Sequence, residues 1–456
     1  MQDILHPATC HLSPASCIKQ QANILAMNRR NFLKTTVAAS LSYSALPLMS
    51  ALKRDKTYRI ALIGSGWWGM NILREAIAYG QCKVVGICDV DRTHRENALA
   101  EVTRLNGDKP KGYEDFRECI TNSKAEIVIV GTPDHWHALP TIFAIEHGAH
   151  VYVEKPIGHT INEGKAMVAA ARKHNRIVQV GTHRRVSPHN MSGMDFLRQG
   201  KAGKISMVKC FVNYASGPGE AVPDQDPPPG LNWDLWCGPA PYRPFNPQIH
   251  PKGFRQFLDY ANGTIADWGI HWFDQVLWWT EEKAPKTIFS SGGKFIRQDN
   301  SDAPDTQVAT FQFEDFILYW QNKQCAPNAN EDHNVGCYFY GTEGTFHMGW
   351  LDGWTFYPKN KNKSIIHQEP SLHLPDHQNI KELWADFRNA IDKMHLPVCD
   401  IHTGHLATNM SLLAVLSYKL GRSLKWDADA EVVIGDEQAN SMLSRAYRGQ
   451  WEYPKI

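Results

Sequence analysis

The segment Gly64-Ser65-Gly66-Trp67-Trp68-Gly69 constrains the fold of this chain more than any other. A short apolar run, Ile60 to Ile63, precedes it and a helix-forming stretch follows. A second apolar run, Lys83 to Cys88, ends on Asp89, 20 residues after Gly69. In this spacing the first glycine permits a tight turn and the second lets a pyrophosphate approach the backbone. The third lets the helix pack on the strand. The phosphates would lie at the helix N-terminus, where unpaired N–H groups and the helix dipole favour anions. Asp89 stands where a carboxylate accepts both ribose hydroxyls. It would repel a 2′-phosphate, so NAD is favoured over NADP, although Arg92 is close by. Strand, helix, second strand and terminal acid in this order predict a dinucleotide-binding βαβ unit.

The alternation continues. Helices are predicted at 92–106, 114–121, 139–147 and 161–174, with apolar strands at 125–131, 150–156 and 176–181 between or after them. Such a pattern predicts a doubly wound parallel sheet of the Rossmann type. Ligands bind outside the carboxyl ends of its strands. Thr132, Pro133 and His137 follow one such end, and Glu154, Lys155 and Pro156 another. His183, Arg184, Arg185 and His189 follow the last. The predicted cofactor-binding set is therefore Gly64, Ser65, Gly66, Trp67, Trp68, Gly69, Asp89, Arg92, Thr132, Pro133, His137, Glu154 and Lys155.

With 456 residues the chain has room for two or three domains. A net charge of +1 implies no basic face, which argues against nucleic acid or anionic membrane as the main partner. None of the ten cysteines forms C-x-x-C, and no Cys/His cluster has zinc spacing, so neither a disulfide framework nor a metal is expected. Near the N-terminus, Arg29-Arg30 precedes Phe32-Leu33-Lys34 and a weakly apolar Ala/Ser/Leu run. That run is too short and too polar to span a bilayer. It resembles a twin-arginine export signal. The expected organisation is an extension at 1–26, the signal at 27–53, the dinucleotide domain at 56–182 and a second domain at 183–456. Export to the periplasm and no stable membrane insertion follow as expectations.

Strand candidates at 205–214, 286–294, 306–313, 316–322, 335–341 and 344–348 predict that the second domain is α+β, with a large, mostly antiparallel sheet. Ser216 to Gly230 reads as a long loop near the cleft. The stretch Gly263 to Trp279 places Asp267, His271 and Asp274 at helical spacing on one face. A carboxylate beside an imidazole fixes its tautomer and favours its protonated form, which suits proton transfer. Arg184 and Arg185 are candidate donors to sugar hydroxyls, Asp274 a further candidate substrate residue, and Trp233 and Trp268 candidate stacking surfaces.

Glu154-Lys155-Pro156, together with the downstream Asp267-x-x-x-His271, resembles the signature of the Gfo/Idh/MocA oxidoreductases. In that family the lysine sits between nicotinamide and substrate hydroxyl, and the Asp-x-x-x-His pair supplies the other catalytic groups. The resemblance implies Lys155, Asp267 and His271 as catalytic residues, a homo-oligomer formed through the C-terminal sheet, and a sugar substrate. Leu231 to Pro251 and Ile434 to Trp451 resemble an exported bacterial subgroup whose characterised members act on glycosides, some by oxidising the C3 hydroxyl. It implies an NAD-dependent sugar or glycoside dehydrogenase that retains and recycles its cofactor. Two alternatives remain open: an NAD-dependent glycoside hydrolase working by transient oxidation and elimination, and a non-catalytic NAD-bound sugar-binding protein.

Overall fold

The computed structural model describes residues 56–213, 216–324, 333–373 and 378–455. The expected signal at 27–53 and the expected extension at 1–26 lie outside these residues. Six strands form the first sheet: β1 (Tyr58–Ile63), β2 (Cys82–Cys88), β3 (Lys111–Tyr113), β4 (Ile127–Val130), β5 (His150–Val153) and β6 (Val178–Val180). All are parallel, in the order β3-β2-β1-β4-β5-β6. β4 and β5 are buried along their whole length, as strands covered by helices on both faces must be. The order reverses between β1 and β4, and there the connecting segments diverge and leave a crevice. Helices Arg92–Asn106, Phe116–Ser123, Ala138–Glu146 and Ile161–Lys173 fall close to their predicted bounds.

One helix of this layer comes from far down the chain. Ile380–Lys393 buries Ile380, Leu383, Trp384, Phe387, Ala390 and Ile391, an i, i+3, i+4, i+7 stripe. That stripe joins one apolar core with Met70, Ile72, Leu73 and Ala76 of the glycine-loop helix, Trp67–Tyr79.

The second sheet has ten strands: β7 (Ile205–Asn213), β8 (Thr287–Gly293), β9 (Thr306–Gln312), β10 (Ile317–Lys323), β11 (Val335–Gly341), β12 (Gly344–Gly349), β13 (Trp354–Pro358), β14 (Ile366–Gln368), β15 (Leu424–Asp427) and β16 (Val432–Val433). Their order is β14-β13-β12-β11-β7-β10-β9-β8-β15-β16, and among the described residues only β7 and β10 run parallel. Along β9 buried and exposed residues alternate, so one face meets the core and the other solvent. The buried face packs on helices Pro188–Arg198, Ile270–Thr280 and Ile401–Leu420. Before Ile270 the chain makes a π-helical turn, Ile265–Gly269, where a plain α-helix was expected. Such turns recur at functional sites, and this one carries Asp267 and Trp268. Among the described residues no helix is long and apolar enough to cross a membrane.

Candidate active site

The three glycines of the loop have separate physical duties. Gly64 adopts φ +85°, and a Cβ there would come 2.8 Å from the backbone of Gly131 and Thr132. At Gly69 a Cβ would meet the Gly64 carbonyl oxygen at 2.0 Å. At Gly66 it would meet nothing within 4 Å. The open space therefore lies in front of Gly66, at a helix N-terminus with no side-chain cap and no acidic residue in its first turn. This is the cradle a pyrophosphate requires. In the apoprotein, Gly69→Ala is expected to cost about 1–3 kcal/mol of stability by overpacking. Gly66→Val is expected to leave the melting temperature in place but to abolish its rise on adding NAD. Thermal melts with and without NAD check this, and equal effects at the two positions would contradict it.

The cleft beyond the loop is lined by Gly64, Gly66, Trp67, Trp68, Asp89, Thr132, Pro133, His137, Glu154 and Lys155 from the predicted set. Ser65 and Gly69 support the lining from behind. Ser65 donates through its N–H (2.7 Å) and hydroxyl (3.0 Å) to one Asp89 oxygen, and the Asp91 N–H donates to the other (2.9 Å). Arg92 does not line the cleft; its N–H is bonded to the Gly230 carbonyl (3.0 Å), at the end of the predicted loop. His137 bridges the carbonyls of Pro156 (2.6 Å) and Thr132 (2.8 Å), tying two strand-end loops together.

The opposite wall comes from the second half of the chain: Leu235, Trp236, His250, Pro251, Lys252, Phe254 and Arg255. This segment is sewn to the first sheet's loops. Leu231 bridges to Asp91, the Asn232 N–H reaches the Val90 carbonyl, and the Trp236 carbonyl accepts from the Trp136 indole (2.9 Å).

Lys155 Nζ donates to the Asp267 carboxylate at 2.9 Å and to the Asp267 carbonyl at 2.7 Å. Arg255, unremarked in the sequence, donates to the same carboxylate oxygen at 3.1 Å. Burial works against ionisation of Asp267, but the Lys155 and Arg255 charges outweigh it and hold the carboxyl below its ordinary value. The expected Asp267–His271 pair does not form, and His271 Nδ1 has no hydrogen-bond partner. A fixed ammonium and a guanidinium are stronger partners for a carboxylate than a neutral imidazole. Burial, with the nearby Lys155 and Arg184 charges, pushes the His271 pKa well down, the reverse of the expected favouring of the protonated ring. Asp134, also on the cleft wall, is pushed up to about 7 by burial.

Beside His271 lies a group of buried, unsatisfied polar side chains. Neither nitrogen of His183 and none of the three in the Arg184 guanidinium has a partner. Arg184 stacks on Trp350 at 3.7 Å, and the rings of His183 and Trp268 lie 5.4 and 6.3 Å from that of His271. Trp350 lies 4.9 Å from both His271 and Trp268. Buried donors are rarely left unpaired, and a cluster of them walled by aromatic rings suits a polyhydroxylated ligand. Three candidate substrate residues lie elsewhere. Arg185 is committed to Asp274 through two 2.9 Å bonds, so this pair holds two elements together. Trp233 is buried in a small core of its own, stacked on Trp236 at 4.5 Å with its indole bonded to the Arg243 carbonyl.

Residues 58–182 match the oxidoreductase family with an NAD-binding Rossmann fold, and residues 212–453 match the same family's C-terminal alpha/beta domain. A glycosyl hydrolase family 109 protein of Shewanella pealeana is 26% identical over 204 residues, 40% of this chain and 45% of that protein. The chain thus spans less than half the length of that relative. Among the solved structures that share the fold are two with named ligands. One is the WlbA dehydrogenase of Bordetella pertussis with NADH and UDP-GlcNAcA (TM-score 0.60, 18% identity, covering 82% of this chain and 99% of that one). The other is the aldose-aldose oxidoreductase of Caulobacter crescentus complexed with glycerol (TM-score 0.60, 18% identity, 81% and 100%). With its NAD-binding domain at 58–182 and its C-terminal domain at 212–453, the chain is a member of the Gfo/Idh/MocA oxidoreductase family.

Proposed function

We propose that the protein oxidises a secondary hydroxyl of a sugar or glycoside, C3 being our choice of carbon, with Lys155, His271 and Asp267 as the catalytic set. The observation that carries this reading is the Lys155 ammonium, fixed by Asp267 on the cofactor cleft and within electrostatic reach of a buried, neutral imidazole. Bound NAD would supply the hydride acceptor. His271 takes the hydroxyl proton, a contribution of about 10²–10⁴-fold for a positioned base. Lys155 donates to the same oxygen and stabilises its developing negative charge. Asp267 and Arg255 keep that amine in place, while Arg184, His183 and Trp268 hold the rest of the sugar. The name of one solved structure, an aldose-aldose oxidoreductase, and the UDP-GlcNAcA bound in the other support the substrate class.

The glycosyl hydrolase relative favours a second reading, in which the same oxidation is followed by elimination, water addition and re-reduction. A panel of glycosides, with products identified by NMR, separates the two. A keto-glycoside with reduced nicotinamide is expected; release of aglycone without net reduction would favour the hydrolase. No reaction and no change in the bound nicotinamide would leave the non-catalytic alternative.

We further read residues 27–53 as a twin-arginine signal for periplasmic export, on the strength of Arg29-Arg30 and the run behind it. Export of the folded, cofactor-loaded protein accords with a cleft walled from both halves of the chain. The outer face of the ten-stranded sheet exposes Met207, Phe289, Val308 and Ile317, which supports a homo-oligomer through that face. Cytoplasmic retention of a reporter fused to the signal, or a monomer by light scattering, would overturn these two readings respectively.

A further inference from the structure

The hairpin of β11 and β12 brings together three residues that no short spacing in the sequence connects. His347 on β12 sits opposite Tyr338 of β11 and is completely buried. His333 lies just before β11, and its ring stacks on that of His347 at 3.7 Å with the planes 17° apart. His333 Nδ1 is 2.7 Å from the carboxylate of Asp352, which stands in the loop after β12. One potential ligand atom from each residue lies within 4.8 Å of the others. Neither ring nitrogen of His347 has a hydrogen-bond partner, nor does His333 Nε2. Gly336 leaves the room this ring needs, since a Cβ there would lie 2.4 Å from His347 Nε2. Buried imidazoles with unpaired nitrogens are uncommon unless they serve a ligand.

We propose that His333, His347 and Asp352 bind one divalent transition-metal ion of the zinc type, and that the ion pins the adjacent loop. Two imidazoles and a carboxylate with an open fourth position match the ligand preference of zinc. Asp352 shares a tight loop with Trp350, closed by a 2.8 Å bond from the Gly349 N–H to the Gly353 carbonyl. A metal holding Asp352 therefore also holds Trp350, the ring lying over Arg184 and next to His271. This inference does not depend on which sugar reaction the protein performs.

The test is metal analysis of the full chain after loading with zinc sulfate and desalting, alongside melts with and without zinc. Wild type is expected to retain about one equivalent and to melt higher with zinc. His347→Gln and Asp352→Asn should each bind zinc at least about 100-fold more weakly and lose the melting shift, with NAD binding showing that they fold. Asp91, His94 and His250 form a second cluster, on the wall of the cofactor cleft. A His94→Gln variant should therefore keep the zinc. Failure of the wild type to retain metal, retention by both variants, or loss in His94→Gln would overturn the proposal.

Discussion

Replacing Lys155 with Ala is expected to lower kcat by about 10³-fold or more while NAD still binds. The size follows from what the amine touches. Its two bonds, to the carboxylate and the carbonyl of Asp267, aim it into the cleft. Removing one preorganised donor to a developing oxyanion costs about 10²–10³ in rate. The loss here is compounded because buried Asp267 then keeps Arg255 as its only bonded cation, and its ionised form is less favoured. Conservative replacement should not rescue the rate: in Lys155→Met the stem remains and the charge does not. His271→Asn is expected to lower kcat by about 10²–10⁴-fold and to remove the acid limb of the pH–rate profile. That limb should lie below the ordinary histidine range, because burial and the Lys155 and Arg184 charges depress the His271 pKa. Steady-state kinetics with NAD titrations of each variant make the measurement. If both variants turned over like wild type, the site assignment would fail.

The second large effect concerns stability in acid. Burial depresses the pKa of His135 to about 3 and those of His150 and His189 to about 4. In the unfolded chain each titrates near 6.5. The folded protein holds these rings neutral, so their contribution is fully present above about pH 6.5 and is lost as the pH falls towards 4. Asp134 acts in the opposite sense. Its folded pKa, raised to about 7, leaves it protonated in the fold where the unfolded chain would release the proton. Other buried histidines, His183 and His271 among them, shift the same way, and each net proton taken up on unfolding contributes about 1.4 kcal/mol per pH unit. A few such protons over two pH units remove an amount comparable to the lower end of an ordinary domain's stability, about 5–15 kcal/mol. Melting temperatures of the apoprotein should fall steeply between pH 6.5 and 4.5. A flat profile across that window would show that these rings are not held neutral.

The parts of this molecule legible in sequence are those written in short windows. The glycine loop, the β-alternation and the strand-end residues 132–133 and 154–155 are local, and the backbone obeys them. The spacing of Asp267 and His271 was also readable, but not the partner each side chain takes. That choice depends on Lys155, 112 residues away, and on Arg255, which reaches Asp267 from a loop. Charge neutralisation in a buried site prevails over proximity along a helix. Arg185 and Asp274 looked like ligand contacts because each is polar and near the cleft in sequence. Together they neutralise each other, and only the fold shows the pairing. Arg184, one residue earlier, is left unpaired instead. Trp350 carries no motif; a hairpin of the second sheet delivers it to His271. Trp233 was one tryptophan among 15, and nothing in its neighbours distinguishes a core ring from a stacking platform.

The central claim is that a carbinol hydrogen of a sugar passes to nicotinamide held in the cleft between Gly66 and Lys155. It is tested most directly by single turnover of the NAD-loaded protein with a glycoside deuterated at the carbinol carbon, followed by mass analysis of the recovered cofactor. The account expects one deuterium on the reduced nicotinamide and a matching keto-glycoside. Unlabelled, oxidised cofactor after every glycoside in the panel would contradict it.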